Sequence, residues 1–168
     1  EVDDFPYYNG DELVANIEDT RSGAWLALDQ LQDPQNVGSL IRSAVCLGVA
    51  GIILLKHRSC LITPSVVRAS SGAVEHALIY QVHNLAQLID RVKQLNCWVY
   101  GLDMAGSHTL AQTKFAEKSM IVLGAEGDGL RRLTKEKCDA IIRIPQSSDV
   151  ASMNVAVAGA LCMYEILK

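Results

Sequence analysis

Long hydrophobic runs are missing from this sequence. Its apolar stretches, such as Gly51 to Leu55, are far too short to cross a bilayer. No basic-then-apolar segment opens the chain as a secretion signal would. Metal-type spacing is missing as well: no two of Cys46, Cys60, Cys97, Cys138 and Cys162 stand as C-x-x-C, and their number is odd. Buried free thiols in a reducing cytoplasm are the expectation. His57, His76, His83 and His108 lack ligand spacing, so no metal is implied. There is no excess of positive charge either. With 15 Lys and Arg against 19 Asp and Glu, the formal net charge is −4, which at first argues against nucleic acid. The distribution changes that reading. Seven acids and no base fall in residues 1–20, which leaves +3 for residues 21–168. That balance permits an RNA partner, held with help from a second domain or subunit.

What is present is enough chain for one full core, 168 residues with 49% hydrophobic side chains. The sequence starts at Glu1 without a methionine, so a fragment of something longer is expected. Residues 1–22 read as an acidic lead-in or interdomain linker, and residues 23–168 as one domain. Short apolar runs predict strands at Ala24–Asp29, Gly51–Leu55, Ala77–Val82, Cys97–Leu102, Ser119–Leu123 and Ala140–Ile144. Helical stretches alternate with them: Val37–Leu47, Thr63 to about Ser71, Leu85–Leu95, Leu130–Lys137 and Met153–Leu167. Asn36 is a natural cap for the first, with Gly48 its stop. Thr63-Pro64 has the cap-then-proline order of a helix start. This alternation predicts an α/β domain, a mainly parallel sheet with helices on both faces. Ligands of such sheets sit at the carboxyl ends of strands, so the loops 30–37, 124–129 and 145–152 matter most.

Three segments could carry chemistry. Gly124-Ala125-Glu126-Gly127-Asp128-Gly129 follows a strand, where glycines let a ligand approach the backbone. Its G-x-x-G-x-G spacing is not that of a dinucleotide fingerprint, too little chain follows it, and two acids make a poor phosphate cradle. In Asn36-Val37-Gly38-Ser39-Leu40-Ile41-Arg42, Gly38 and Arg42 share a helix face. Arg42 is expected to lean over the bare patch left by Gly38, open to phosphate or ribose. A capping Asn and a solvated Arg explain the same residues. The third segment runs from Ile144-Pro145 to Ser152-Met153-Asn154, where Ser152 or Asn154 could cap a helix. The small residues Ala156–Ala160 then suit either a dense core contact or a dimer seam.

Taken together, in this order and spacing, N-x-G-x-x-x-R, L-G-A-E-G-x-G-L and I-P with S-x-N-V-x-V-A resemble the three motifs of the SpoU (TrmH-like) family. These are the 2′-O-ribose RNA methyltransferases of the SPOUT superfamily, and the resemblance covers residues 24–168. Gly124–Thr134 is most similar to the branch that methylates a guanosine in large-subunit (23S) ribosomal RNA. Its members often carry a preceding RNA-binding domain, for which Glu1–Ser22 would be the linker. The resemblance implies a deep C-terminal trefoil knot, S-adenosylmethionine as cofactor, and a homodimer with the active site near its interface. It implies cofactor binding by Gly124, Ile144 and Met153, with the flanking Leu123 and Gly129, and a catalytic pocket of Asn36, Arg42, Glu126, Ser152 and Asn154. Two departures stand out: Met153 replaces a usual Leu, conserving volume, and Gln146 stands where a Met is common, beside the adenine pocket.

The resemblance also implies that Arg42 is the general base, assisted by an RNA phosphate. A guanidinium deprotonates only above about pH 12. The expectation is therefore that Arg42 pins the phosphate and stabilises the developing alkoxide, while Asn36, Ser152 and Asn154 orient ribose or cofactor. A need for the 2′-hydroxyl selects RNA over DNA, and no membrane partner is expected. Asp103 and His108, in one loop, offer an alternative catalytic pair. Competing readings are a transfer-RNA ribose methyltransferase, a non-catalytic RNA-binding scaffold of the same fold, and a nicotinamide enzyme, although residues 30–37 lack the fingerprint the last would need.

Overall fold

The apolar runs form strands buried on both faces, as strands between two helical layers must be. A computed structural model describes residues 4–147, 149, 150 and 152–168. Glu1 and Asp3 of the acidic lead-in, and Ser148 and Ala151 of the expected 145–152 loop, lie outside the described residues. Among the described residues, seven strands, β1 (Gly23–Asp29), β2 (Gly51–Leu55), β3 (Ile79–Val82), β4 (Trp98–Leu102), β5 (His108–Thr109), β6 (Lys118–Gly124) and β7 (Ala140–Arg143), alternate with six α-helices. These are α1 (Gly10–Asp19), α2 (Pro34–Leu47), α3 (Pro64–Ala69), α4 (Leu85–Lys93), α5 (Arg132–Lys137) and α6 (Val155–Leu167). The strand order is β3-β2-β1-β6-β4-β7-β5, and every pairing is parallel.

Successive strand residues point to opposite faces, and the core divides accordingly. Leu26, Leu28, Ile121 and Leu123 pack with Leu40 and Ile41 of α2 and Met163 of α6. Trp25, Ala27, Met120 and Val122 pack with Leu13 and Ile17 of α1 and Ile89 of α4. The expected α/β class, with helices on both faces, is the observed one. From β1 the chain builds outward through β2 to β3, then crosses back to lay β4 beyond β6. The order therefore reverses between β1 and β6, whose carboxyl ends meet with Asp29 opposite Gly124. A crevice opens at such a reversal.

Several local expectations are corrected. Helix α2 begins at Pro34, with Asp33 as its cap through a 2.9 Å bond from the Gln35 amide. Asn36 therefore lies inside the first turn and does not cap. The signal was Asp33-Pro34, the same cap-then-proline order that starts α3 at Thr63-Pro64. The acidic lead-in contains α1, closed by a capping box between Asn9 and Glu12. Its Leu13 and Ile17, four apart on one face, are buried, and Asn16 accepts a 2.9 Å bond from the Trp25 indole. The patch over Gly38 is not bare. A Cβ there would collide with Ala69 and lie 2.9 Å from the Ser70 amide, so Gly38 lets α3 press against α2. Cys46 is exposed, and Cys60 and Cys138 are half-buried; only Cys97 and Cys162 are fully buried. Two-residue β5 was too short to read. Of the open alternatives for the small residues of α6, the core contact is occupied: a Cβ at Gly159 would meet Leu40 at 2.5 Å and Leu123 at 2.7 Å.

Candidate active site

At the carboxyl ends of β6, β4 and β7 lies a cavity of about 430 Å³, within the range of small-molecule sites. Strand β6 runs into a tight turn, in which the Gly129 amide donates to the Ala125 carbonyl at 2.9 Å. Gly127 (φ 82°) and Gly129 (φ 68°) take the left-handed backbone this turn needs. A side chain at Gly124 would strike the Gly129 carbonyl, so the loop can fold back on the strand end only because residue 124 is glycine.

All five expected cofactor positions, Leu123, Gly124, Gly129, Ile144 and Met153, line this cavity, with Glu126 and Ser152. Gln146 lines it too, its amide 3.5 Å from the Met104 sulfur. The walls are apolar (Leu102, Leu123, Ile144, Met153, Val155), with Asp103, Glu126 and Asp128 as the charged groups and no Lys or Arg among the described lining residues. Such a lining repels a pyrophosphate and suits a cation carried on an apolar body. Asp103, expected only as half of an alternative pair with His108, instead receives Lys135 at 3.0 Å and the Ala105 amide at 2.9 Å. Burial works to raise its pKa, but these donors and the Leu130 amide outweigh it, so the carboxyl titrates below its ordinary value. His108 meets Ser107 at 3.0 Å.

Beside the cavity, Asp33, Asn36, Glu126 and Asn154 form one chain of hydrogen bonds across three distant segments. The Asn36 Nδ2 donates to Glu126 Oε1 at 2.8 Å and to Asp33 Oδ2 at 3.2 Å. Carboxylates only accept, so this fixes the amide's orientation. Asn36 Oδ1 is then free to accept from Asn154 Nδ2 at 3.0 Å. That in turn leaves Asn154 Oδ1 for the amides of Ala156 and Val157, at 2.9 and 3.2 Å, where it caps α6. Asn36 is 6% exposed, so each of its partners is effectively required. Arg42 stands apart from this chain. It is exposed, about two turns along α2, and donates to Ser71 Oγ at 3.2 Å.

Sequence reasoning missed Asp33, Asp29, Arg131 and Ser71. Asp33-Pro34 was legible as a cap. Asp29, at the end of β1, is buried and bound by Arg131; no local pattern links two residues 102 apart. Ser71 holds an unusual positive φ of 52° for a non-glycine residue. Among the described residues no cluster of His, Cys, Asp and Glu could hold a metal ion, and no helix is long and apolar enough to cross a membrane.

Comparison with known proteins places these features in context. The family model described as the SpoU rRNA Methylase family matches residues 23–164. The 23S rRNA (guanosine-2'-O-)-methyltransferase RlmB of Yersinia pestis is 37% identical over 161 residues, covering 96% of this chain and 65% of that protein. The SpoU methyltransferase AviRb from Streptomyces viridochromogenes, solved in complex with the cofactor AdoMet, superimposes with a TM-score of 0.81 at 27% identity, over 88% of this chain and 58% of its own. An AdoMet-bound rRNA methyltransferase from Sinorhizobium meliloti gives a TM-score of 0.81 at 27% identity, over 89% of this chain and 59% of its own. The chain thus spans less than two thirds of the length of each.

Proposed function

The chain belongs to the SpoU rRNA Methylase family, and from that premise we propose that it transfers a methyl group from S-adenosylmethionine to a ribose 2′-hydroxyl of RNA. The observation that carries this reading is the cavity at the end of β6. Its apolar walls suit an adenine, its three carboxylates suit a sulfonium and an ammonium, and its lining offers no cation to a phosphate. Bound there, S-adenosylmethionine supplies an electrophilic methyl group. Leu123, Gly124, Gly129, Ile144 and Met153 hold it, largely through backbone groups and apolar contact.

The remaining work falls to polar residues at the cavity's edge. Asn36, Asn154 and Ser152 orient the ribose, with Glu126 held in place by the Asn36 amide. Positioning of this kind removes up to about 7–11 kcal/mol of a bimolecular barrier. Arg42 pins an RNA phosphate and stabilises charge on the 2′-oxygen. The RNA is a guanosine-containing segment of 23S ribosomal RNA, a choice supported by what the Yersinia relative is named for. The setting is the cytoplasm, consistent with five unpaired thiols. The active form is a homodimer, supported by Val157, Leu161 and Tyr164, which leave an apolar stripe exposed along α6. The end of the chain is knotted, a reading supported by the late strands β6 and β7, which lie inside the sheet.

Calorimetric titration of S-adenosylhomocysteine, with NAD as control, tests the reading without needing the RNA. Binding of S-adenosylhomocysteine alone is expected. Binding of NAD, or of neither compound by a correctly sized particle, would overturn it.

A further inference from the structure

The segment that builds the β2–β3 side of the sheet is basic in sequence, and the acidic α1 is laid against that same side through the Tyr8–Tyr80 pairing and the Arg91–Asp11 ion pair. Residues 34–89, which supply α2, β2, α3, β3 and most of α4, contain four Lys and Arg and a single acid, Glu75, for a net +3. The rest of the chain then carries −7 of the total −4. Ion pairing separates the cations along the chain. Among the described residues, all of the ion-paired cations lie at residue 91 or beyond. Among the described residues Arg42, Lys56, Arg58 and Arg68 form no ion pair, although Lys56 lines one groove with Asp11; Arg42 and Arg68 reach the hydroxyls of Ser71 and Ser65.

These unpaired cations flank the candidate site on one side. Lys56, His57 and Arg58 are exposed in the loop that leaves the carboxyl end of β2. That loop is tied to the end of β1: the Cys60 amide donates to the Leu31 carbonyl at 2.9 Å, and Gln32 donates to the Arg58 carbonyl at 3.4 Å. Next to Gln32 is Asp33, which receives Asn36. Arg58 itself is a non-glycine residue at positive φ (55°), a conformation that persists where the surroundings impose it. Arg68 and Arg42 lie across the α2–α3 contact. The acid-lined cavity lies on the other side, toward β4 and β7, and the Asn36–Glu126 bond marks the border.

We propose that the β2–β3 half of the carboxyl edge, centred on Lys56 and Arg58, is the surface that carries the substrate's phosphate backbone. The cofactor occupies the acid-lined cavity, and the target ribose crosses at Asn36. The proposal rests on the methyltransferase reading but is separable from it. A net-acidic domain can still bind a polyanion if its cations are segregated, because each phosphate contact releases counterions locally.

The test is fluorescence anisotropy with a labelled oligouridine of about 20 nucleotides, longer than a single-strand binding site needs to be. Affinity is followed between about 50 and 200 mM salt. S-adenosylhomocysteine calorimetry is run on the same proteins. Losing two single-strand phosphate contacts lowers the slope of log K against log salt by about 1.4. K56A/R58A is expected to do this, and K56E/R58E to weaken binding further. Lys114, exposed just before β6 begins at the opposite edge, is the control, and K114A should change nothing. An unchanged slope in K56A/R58A, an equal loss in K114A, or no binding by the wild type overturns the proposal. If S-adenosylhomocysteine still binds in those cases, the methyltransferase reading survives. If the slopes behave as expected but that compound does not bind, the surface stands and the catalytic reading falls.

Discussion

Arg131 closes on Asp29: its Nε lies 2.8 Å and its Nη2 2.6 Å from Oδ1 of that carboxylate, and its amide is 3.3 Å from Oδ2. The Asp29 side chain is fully buried, whereas that of Arg131 is 45% exposed. The pair therefore clamps the 124–130 turn onto the end of β1. Removing one partner of a buried ion pair typically costs about 3–5 kcal/mol. Exposure of Arg131 moves the expectation for Arg131→Ala to the bottom of that range, about 3 kcal/mol or less. Denaturant titration should find this loss, and calorimetry a weaker affinity for S-adenosylhomocysteine. Asp29→Asn in the Arg131→Ala background should recover part of the stability, because no buried charge is then left unpaired. A double variant no more stable than Arg131→Ala would mean the pair is not what anchors the turn.

Asn36→Asp should destabilise the fold in a pH-dependent way. It replaces a donor with a carboxylate 2.8 Å from Glu126 and 3.2 Å from Asp33. Three acids so close cannot all ionise cheaply, so the folded pKa of the cluster rises above its unfolded value. The loss of stability is then greatest at neutral pH and shrinks as the pH falls and the cluster takes up a proton. Asn36→Ala removes the bonds without adding charge, so its deficit should not track pH in this way. Thermal melts of both variants from acid to neutral pH would separate the two effects. Parallel pH curves would show that charge at position 36 is irrelevant.

The difference between what was legible and what was not follows sequence distance. The strands could be read because a parallel sheet buries both faces and leaves uninterrupted apolar runs, as Ile52–Leu55 does. Gly48 was readable as a stop because a left-handed residue ends α2 there (φ 84°). Helix α1 is masked in the sequence by its acidic composition, although the four-residue spacing of Leu13 and Ile17 is the better signal. The site motifs could be found one segment at a time. Their assembly could not, since Asn36 is 90 residues from Glu126 and 118 from Asn154. Gly38 was misread for the same reason: nothing local says that α3 fills the space beside it.

The buried thiols should make the protein sensitive to alkali. Desolvation pushes Cys97, Cys138 and Cys162 up to about 12 from an ordinary 9.0. A group raised in the folded state contributes its full stability below the unfolded pKa and loses it as pH rises toward the folded value. Stability should therefore decline above about pH 9, and Cys162→Ala, although it costs packing, should flatten that decline. Alkylation at pH 8 read by mass spectrometry gives a second check. Exposed Cys46 should be modified first and Cys97 and Cys162 only on unfolding. Rapid labelling of Cys97 in the native protein would contradict the packing described for β4.

Leu161→Lys should yield a monomer by light scattering while leaving thermal stability near that of the parent domain. Leu161 is 42% exposed between Val157 and Tyr164 on one face of α6, so a lysine there can snorkel into water. A wild type that is already monomeric would remove the dimer proposal.

Gly38→Ala and Gly159→Ala look alike on paper, since each adds one methyl group to a buried helix contact. The structure separates them by what that methyl would strike. At Gly38 it meets the Ala69 side chain and, at 2.9 Å each, the Ala69 carbonyl carbon and the Ser70 nitrogen. Backbone cannot swing aside, so α3 must retreat as a unit and carry Ser71 away from Arg42. Overpacking of this sort costs about 1–3 kcal/mol, and Gly38→Ala should fall at the upper end. At Gly159 the methyl meets the far ends of Leu40 and Leu123, which can change rotamer, so the cost should lie at the lower end. Ala69→Gly combined with Gly38→Ala removes the side-chain clash but not the backbone contacts, so it should recover only part of the loss. Denaturant midpoints of the three variants would check the order. If Gly159→Ala proved the more damaging, the α2–α6 contact rather than the α2–α3 contact would be the tighter of the two.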